Sequence, residues 1–156
     1  MYQRILLPTD GSALSDQVLP LAFDLARQWH SALIAVTVVQ PALVLPPSEA
    51  ALTIDVVGET QAMVDAARAQ VDRVHAAAVA AGVPCTALTV VAHSVHKALL
   101  ETASAQHCDL ILMASHGRHG LSRLLAGSQT QKVMSESPIP VLVLHPGTAP
   151  ATVPGN

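Results

Sequence analysis

The chain has 156 residues, a net charge of −3 and no basic run, so it has the size of one domain and lacks the electrostatics of a phosphate-backbone binder. Apolar residues make up 51% and charged residues 12%, and the aromatics are Tyr2, Phe23 and Trp29 alone, which implies an aliphatic core and excludes a site that stacks bases on rings. No apolar run approaches the roughly 18 residues of a membrane span, and Met1-Tyr2-Gln3-Arg4 leads into a strand without a signal-peptide layout, so a cytoplasmic protein with no nucleic-acid or membrane partner is expected.

Arg4–Pro8 is a short apolar run closed by proline and reads as a buried strand. Asp10-Gly11-Ser12 is a turn, with Ser12 placed as an N-cap. Val18, Ala22, Leu25 and Trp29 recur at helical spacing, which predicts an amphipathic helix over 13–30. Ala32–Val39 is nearly all apolar, as suits a strand of a parallel sheet covered on both faces. Residues 40–57, with Pro41, Pro46 and Pro47, read as a long irregular connection. A helix follows over 58–81, with Met63, Ala67, Val71, Val74 and Ala78 as its buried stripe and Gly82 as its stop. A third strand spans 84–92, and Ser94 is placed to cap a helix running through Gln106. Residues 109–114 form a fourth strand, 127–135 a fourth helix and Ile139–Leu144 a fifth strand. The proline- and glycine-rich remainder reads as a loose tail. Cys85 and Cys108 read as buried, reduced thiols.

This alternation predicts an α/β fold: a doubly wound, five-stranded parallel sheet with helices on both faces, which at the expected strand order 3-2-1-4-5 reverses between strands one and four. Ligands of such sheets bind where the strand order reverses, at the carboxyl ends of the flanking strands. Here those ends are Pro8-Thr9-Asp10 and Ala114-Ser115-His116-Gly117.

The segment from Ala114 to Ser128, ASHGRHGLSRLLAGS, carries Gly117, Gly120 and Gly127 with Arg118 and Arg123. Glycines let the backbone approach a ligand, and a helix opening at Gly127-Ser128 offers N–H groups and partial positive charge to an anion. The same glycines also serve simple turns, and both readings stand on local chemistry. There is no G-x-x-x-x-G-K-[ST] motif and no G-x-G-x-x-G after the first strand, so the P-loop and the dinucleotide fingerprint are excluded. His93 and His96, like His116 and His119, are three apart; two ligands do not close a zinc site. No Ser-His-Asp or Cys-His arrangement is assignable from spacing, so no catalytic residue is expected. Asp10 has two readings, a ligand-binding carboxylate or a turn and cap residue. As a ligand group it suits a divalent ion shared with phosphates.

The spacing Ala114-x-x-Gly117, nine residues, Gly127-Ser128 resembles the G-x-x-G-x9-G-[ST] signature of the universal stress protein (UspA-like) family, with Ala114 where the signature has glycine. R-I-L-L-P-T-D-G-S (Arg4–Ser12) and S-P-I-P-V-L-V-L (Ser137–Leu144) resemble its opening and closing strands, so the resemblance covers residues 1–146 and leaves 147–156 as tail. It implies a stress-response module, homodimeric through strand five (Ile139–Leu144), that in some members binds ATP with Mg2+ or Mn2+ on the phosphates. Asp10 would then lie near ribose or metal, with Pro8 and Thr9 on the same side and Val38 near adenine. Gly117, Gly127, Ser128 and Gln129 would hold ribose and phosphates, with Ala114, His116, Arg118 and Gly120 completing the loop. The alternatives are a dimer that binds no nucleotide and acts through protein contacts, and an enzyme, for which no general base is placed; at most slow ATP hydrolysis is expected. A flavin carrier of the same architecture is disfavoured by the scarcity of aromatics.

Overall fold

Side-chain alternation along the central strands builds two cores on one sheet. In the structure, a computed structural model that describes residues 1–41, 56–114 and 126–144 (backbone alone for 56–57 and 126–128), nine elements follow in order. They are β1 (Arg4–Pro8), α1 (Ala13–Trp29), β2 (Ala32–Val39), α2 (Val56–Ala80), β3 (Cys85–Val91), α3 (Val95–Ala105), β4 (Leu110–Ala114), α4 (Ala126–Glu136) and β5 (Val141–Leu144). The strands pair in parallel in the order β3-β2-β1-β4-β5, as expected. Ile5, Leu7, Leu33, Ala35, Leu110 and Leu112 face α1 and α2, where Ala22, Phe23, Val74 and Ala78 cover them. Leu6, Ile34, Val36, Ile111 and Met113 face Leu99, Ala103 and Val133 of α3 and α4. Strands buried on both faces explain their unbroken apolar runs.

Several boundaries and burials differ from the pattern. Met63 is 45% exposed rather than part of the buried stripe. Helix α2, with 25 residues, is about 37 Å long, against about 23 Å for the 7-residue strand β3 beneath it. Its C-terminal end is tied to β3 through Gly82, so the overhang falls at the N-terminal end, where Met63 lies. In α1, Leu25 and Trp29 are half-buried, and Phe23 and Ala26 join Val18 and Ala22 inside. Regular pairing in β5 begins at Val141, not Ile139, because Ser137 Oγ both accepts from Ile139 N–H and donates to Ile139 C=O, and Pro140 has no N–H for the ladder. Cys108 is buried as expected, whereas Cys85, on the edge strand β3, is half-buried. The tail and residues 42–55 of the irregular connection lie outside the described residues.

The first three helices end alike. A left-handed residue follows each: His30 (φ 55°), Gly82 (φ 74°) and His107 (φ 52°). The next amide then bonds back five residues: Ser31 N–H to Ala26 C=O, Val83 to Ala78 and Cys108 to Ala103, at 2.8–2.9 Å. Only Gly82 takes this conformation without a Cβ clash. His30→Gly and His107→Gly should therefore each raise unfolding free energy by about 1 kcal/mol, read by urea denaturation. Equal or lower stability would show that the histidines make compensating contacts.

Candidate functional site

The crevice opens where β1 and β4 lie side by side while their outgoing connections lead to opposite faces of the sheet. A cavity of about 290 Å³ sits there. Its floor is Pro8 at the end of β1 and Thr9 and Asp10 after it, with Val36 and Val38 of β2 and Met113 and Ala114 of β4. Its helical walls are Ser15 of α1, Val95 and Leu99 of α3, and Gln129 and Thr130 of α4. Of the sequence-predicted site residues, Pro8, Thr9, Asp10, Val38, Ala114 and Gln129 converge on this one cavity. His116, Gly117, Arg118 and Gly120 lie outside the described residues. Gly127 and Ser128 fall in the first turn of α4.

Thr9 fixes the turn that carries Asp10. Its N–H bonds Val36 C=O at 2.9 Å, extending the β1–β2 ladder one residue past Pro8. Its C=O accepts from Thr37 Oγ1 at 2.9 Å, and its Oγ1 accepts from Gly11 N–H at 3.4 Å and from Gln70 Nε2 of α2 at 3.2 Å. Gly11 follows in the left-handed region (φ 73°), and a Cβ there would lie 2.3 Å from Gln70 Oε1. The turn needs glycine for its conformation, and a larger residue would also displace the Gln70 amide from Thr9.

Asp10 fills the turn and cap role that its sequence leaves open. Its Oδ1 accepts from Ser12 N–H at 3.0 Å, from Ser12 Oγ at 2.6 Å and from Ser15 Oγ. Ser12 in turn caps α1, accepting Ser15 N–H at 3.2 Å. No described residue bonds Oδ2. Partial burial pulls the carboxyl pKa upward, but the serine hydroxyls and backbone amides outweigh it and hold it below its ordinary 3.8. The carboxylate therefore stays charged at neutral pH.

On the opposite wall, Ser94 occupies the N-cap position of α3, but its side chain makes no capping bond and meets His96 Nδ1 at 3.2 Å instead. Gln129 supplies the cap from α4: its Oε1 accepts His96 N–H at 3.2 Å. His96 Nε2 lies 3.5 Å from Glu136 Oε1, which ties α3 to α4 again. No group of three or more His, Cys, Asp or Glu that could hold a metal occurs among the described residues. The Cys108 thiol is pushed up to about 11, chiefly by burial, with Arg4 lowering and Asp109 raising it, so it is no nucleophile at neutral pH.

Ser15, Val36, Val95, Leu99, Met113 and Thr130 line the cavity but were not singled out from sequence. Ser15 did leave a signal: Ser12-x-x-Ser15 places two hydroxyls across the first helical turn, the spacing of a reciprocal cap. The apolar liners carry no signal that distinguishes them from core.

The family model described as the universal stress protein family matches residues 1–145. The chain belongs to the universal stress protein family. A universal stress protein of Thermus aquaticus is 29% identical over 148 residues, covering 93% of this chain and 100% of that protein. The crystal structure of a universal stress protein in complex with cAMP is 25% identical, with TM-score 0.67 over 93% of this chain and 98% of that one. The universal stress protein from Archaeoglobus fulgidus in complex with dAMP shares the fold, with TM-score 0.60 and 15% identity over 91% of this chain and 97% of that one. No described helix of this universal stress protein is long and apolar enough to cross a membrane.

The depressed Asp10 pKa fixes a sign. Its hydrogen bonds stabilise the folded state fully above pH 3.8, and that contribution is lost as pH falls through the lower folded-state value. The stability difference between wild type and Asp10→Asn should therefore be greatest near neutrality and shrink below pH 3.8, measured by urea unfolding across pH. A difference that grows on acidification would contradict the bonding on Oδ1.

Proposed function

We propose that this universal stress protein binds an adenine nucleotide in the crevice and acts as a cytoplasmic, nucleotide-responsive regulatory module of a stress response. The observation that carries the proposal is the convergence of Pro8, Thr9, Asp10, Val38, Ala114 and Gln129, from four separate elements and turns, on one cavity of about 290 Å³. That volume is near the lower end of small-molecule sites. The cAMP and dAMP complexes of the two relatives favour an adenine ligand. In this reading Val36 and Val38 flank the base, Asp10 Oδ2 meets ribose or metal, and the first turn of α4 at Gly127-Ser128 receives phosphate.

A Mg2+ or Mn2+ ion fits this donor set only with help from the ligand. One carboxylate oxygen, with phosphate oxygens and water, is the kind of set magnesium takes, and the described residues offer no protein-only cage. Such an ion would neutralise phosphate charge. Asp10 is also the one acidic or basic residue lining the cavity among the described residues, which favours holding the nucleotide over transferring its phosphate. ATP should bind with Mg2+ at a Kd well below about 1 mM by calorimetry, and Gly127→Val should raise that Kd at least about tenfold with little change in Tm. Millimolar or weaker binding by wild type would overturn the proposal; unchanged binding by the variant would place the phosphates elsewhere.

We further propose a homodimer through β5. This strand is a sheet edge, and all four of its residues, Val141–Leu144, are only partly buried in the isolated chain. Sedimentation at roughly 50 micromolar protomer should show a dimer. A strict monomer would contradict the pairing.

A further inference from the structure

The two ends of the Gln129 amide are not equivalent: Oε1 accepts from His96 N–H. The first amides of α3 have no intrahelical acceptors. Ser94 does not satisfy them with its side chain, and His96 N–H turns to Gln129 Oε1 at 3.2 Å. A backbone N–H needs an acceptor, so the carbonyl end of the amide is the end held against α3. The remaining end is the NH2 group, a pure donor, and no described residue accepts from it. Gln129 also lines the cavity, within the first turn of α4.

We propose that Gln129 is a specificity-determining residue with two faces, its Oε1 capping α3 and its Nε2 donating to a hydrogen-bond acceptor on the bound nucleotide. The inference rests on the nucleotide-binding reading above. It adds a requirement that reading lacks: the ligand must present an acceptor to the α3–α4 wall. The cap fixes the amide orientation before the ligand arrives, so the donor is preorganised and little side-chain freedom is lost on binding. It also means that α3, which supplies Val95 and Leu99 to the cavity, is held in place by the same side chain that reads the ligand.

Gln129→Glu separates the two faces. A carboxylate keeps an acceptor for His96 N–H and favours a helix N-terminus, so Tm should equal or exceed that of wild type. It has no donor, so the Kd for AMP should rise about tenfold. Measured at about 0.5 M salt, where the Debye length is a few ångströms, that loss should persist. Gln129→Met, which loses both faces, should lower Tm by about 2–4 °C as well as weaken AMP binding. Wild-type affinity in Gln129→Glu at high salt, or in Gln129→Met, would overturn the donor role, and an unchanged Tm in Gln129→Met would overturn the cap. Failure of the wild type to bind AMP would instead remove the nucleotide reading itself, and the donor role with it.

Discussion

The parallel pairing of β1 with β4 governs the molecule. Ile5 stands against Leu110 and Leu6 against Ile111, at the point where the chain stops building the sheet in one direction and starts in the other. The connections that leave β1 and β4 must diverge, because α1 and α2 cover one face and α3 and α4 the other. Divergence leaves a crevice that no described element fills. Hydrogen bonds of Thr9, Asp10 and Gln129 hold the described edges of that crevice in place.

The two edges are held by different means. On the β1 side, Thr9 is anchored by the Val36 backbone, by Thr37 and by Gln70, so the turn bearing Asp10 is fixed from two elements, β2 and α2. Asp10 then spends Oδ1 on the start of α1. On the far side, Ala92 N–H bonds Val39 C=O at 3.0 Å and Gln40 Nε2 donates to His93 C=O at 3.0 Å. The start of α3 relies on side chains sent from α4, through Gln129 and through the His96–Glu136 contact. Buried or half-buried polar groups left unpaired cost about 1–3 kcal/mol each, so both sets of bonds resist slippage of the walls. Both described walls of the crevice are therefore tied to neighbouring elements.

The architecture was legible in the chain because hydrocarbon runs bounded by proline, glycine and capping residues follow strict rules. The alternation of elements comes from that pattern, and the switch point and the place of Asp10 follow from it once the strand order is 3-2-1-4-5. What the pattern missed shares one cause: the deciding partner is far away in sequence. Ser94 looks like a cap, but the bond that caps α3 comes from Gln129, in the first turn of another helix. Met63 fits the helical stripe, but α2 outruns the strands beneath it. Ile139 looks like strand, but Ser137 folds it into a turn. The resemblance to the universal stress proteins supplied the ligand class, which the geometry of an apolar cavity could not name on its own.

The central claim is that the nucleotide sits at the β1–β4 switch point, between Asp10 and Gln129. Amide chemical-shift mapping of the isotopically labelled protein during titration with AMP tests it directly. The account predicts that the largest shifts fall on residues 9–12, 36–38, 95–99 and 129–130, at the carboxyl ends of the strands. Shifts concentrated at the opposite end of the sheet, around Gln3, Ser31 and Asp109, would contradict it.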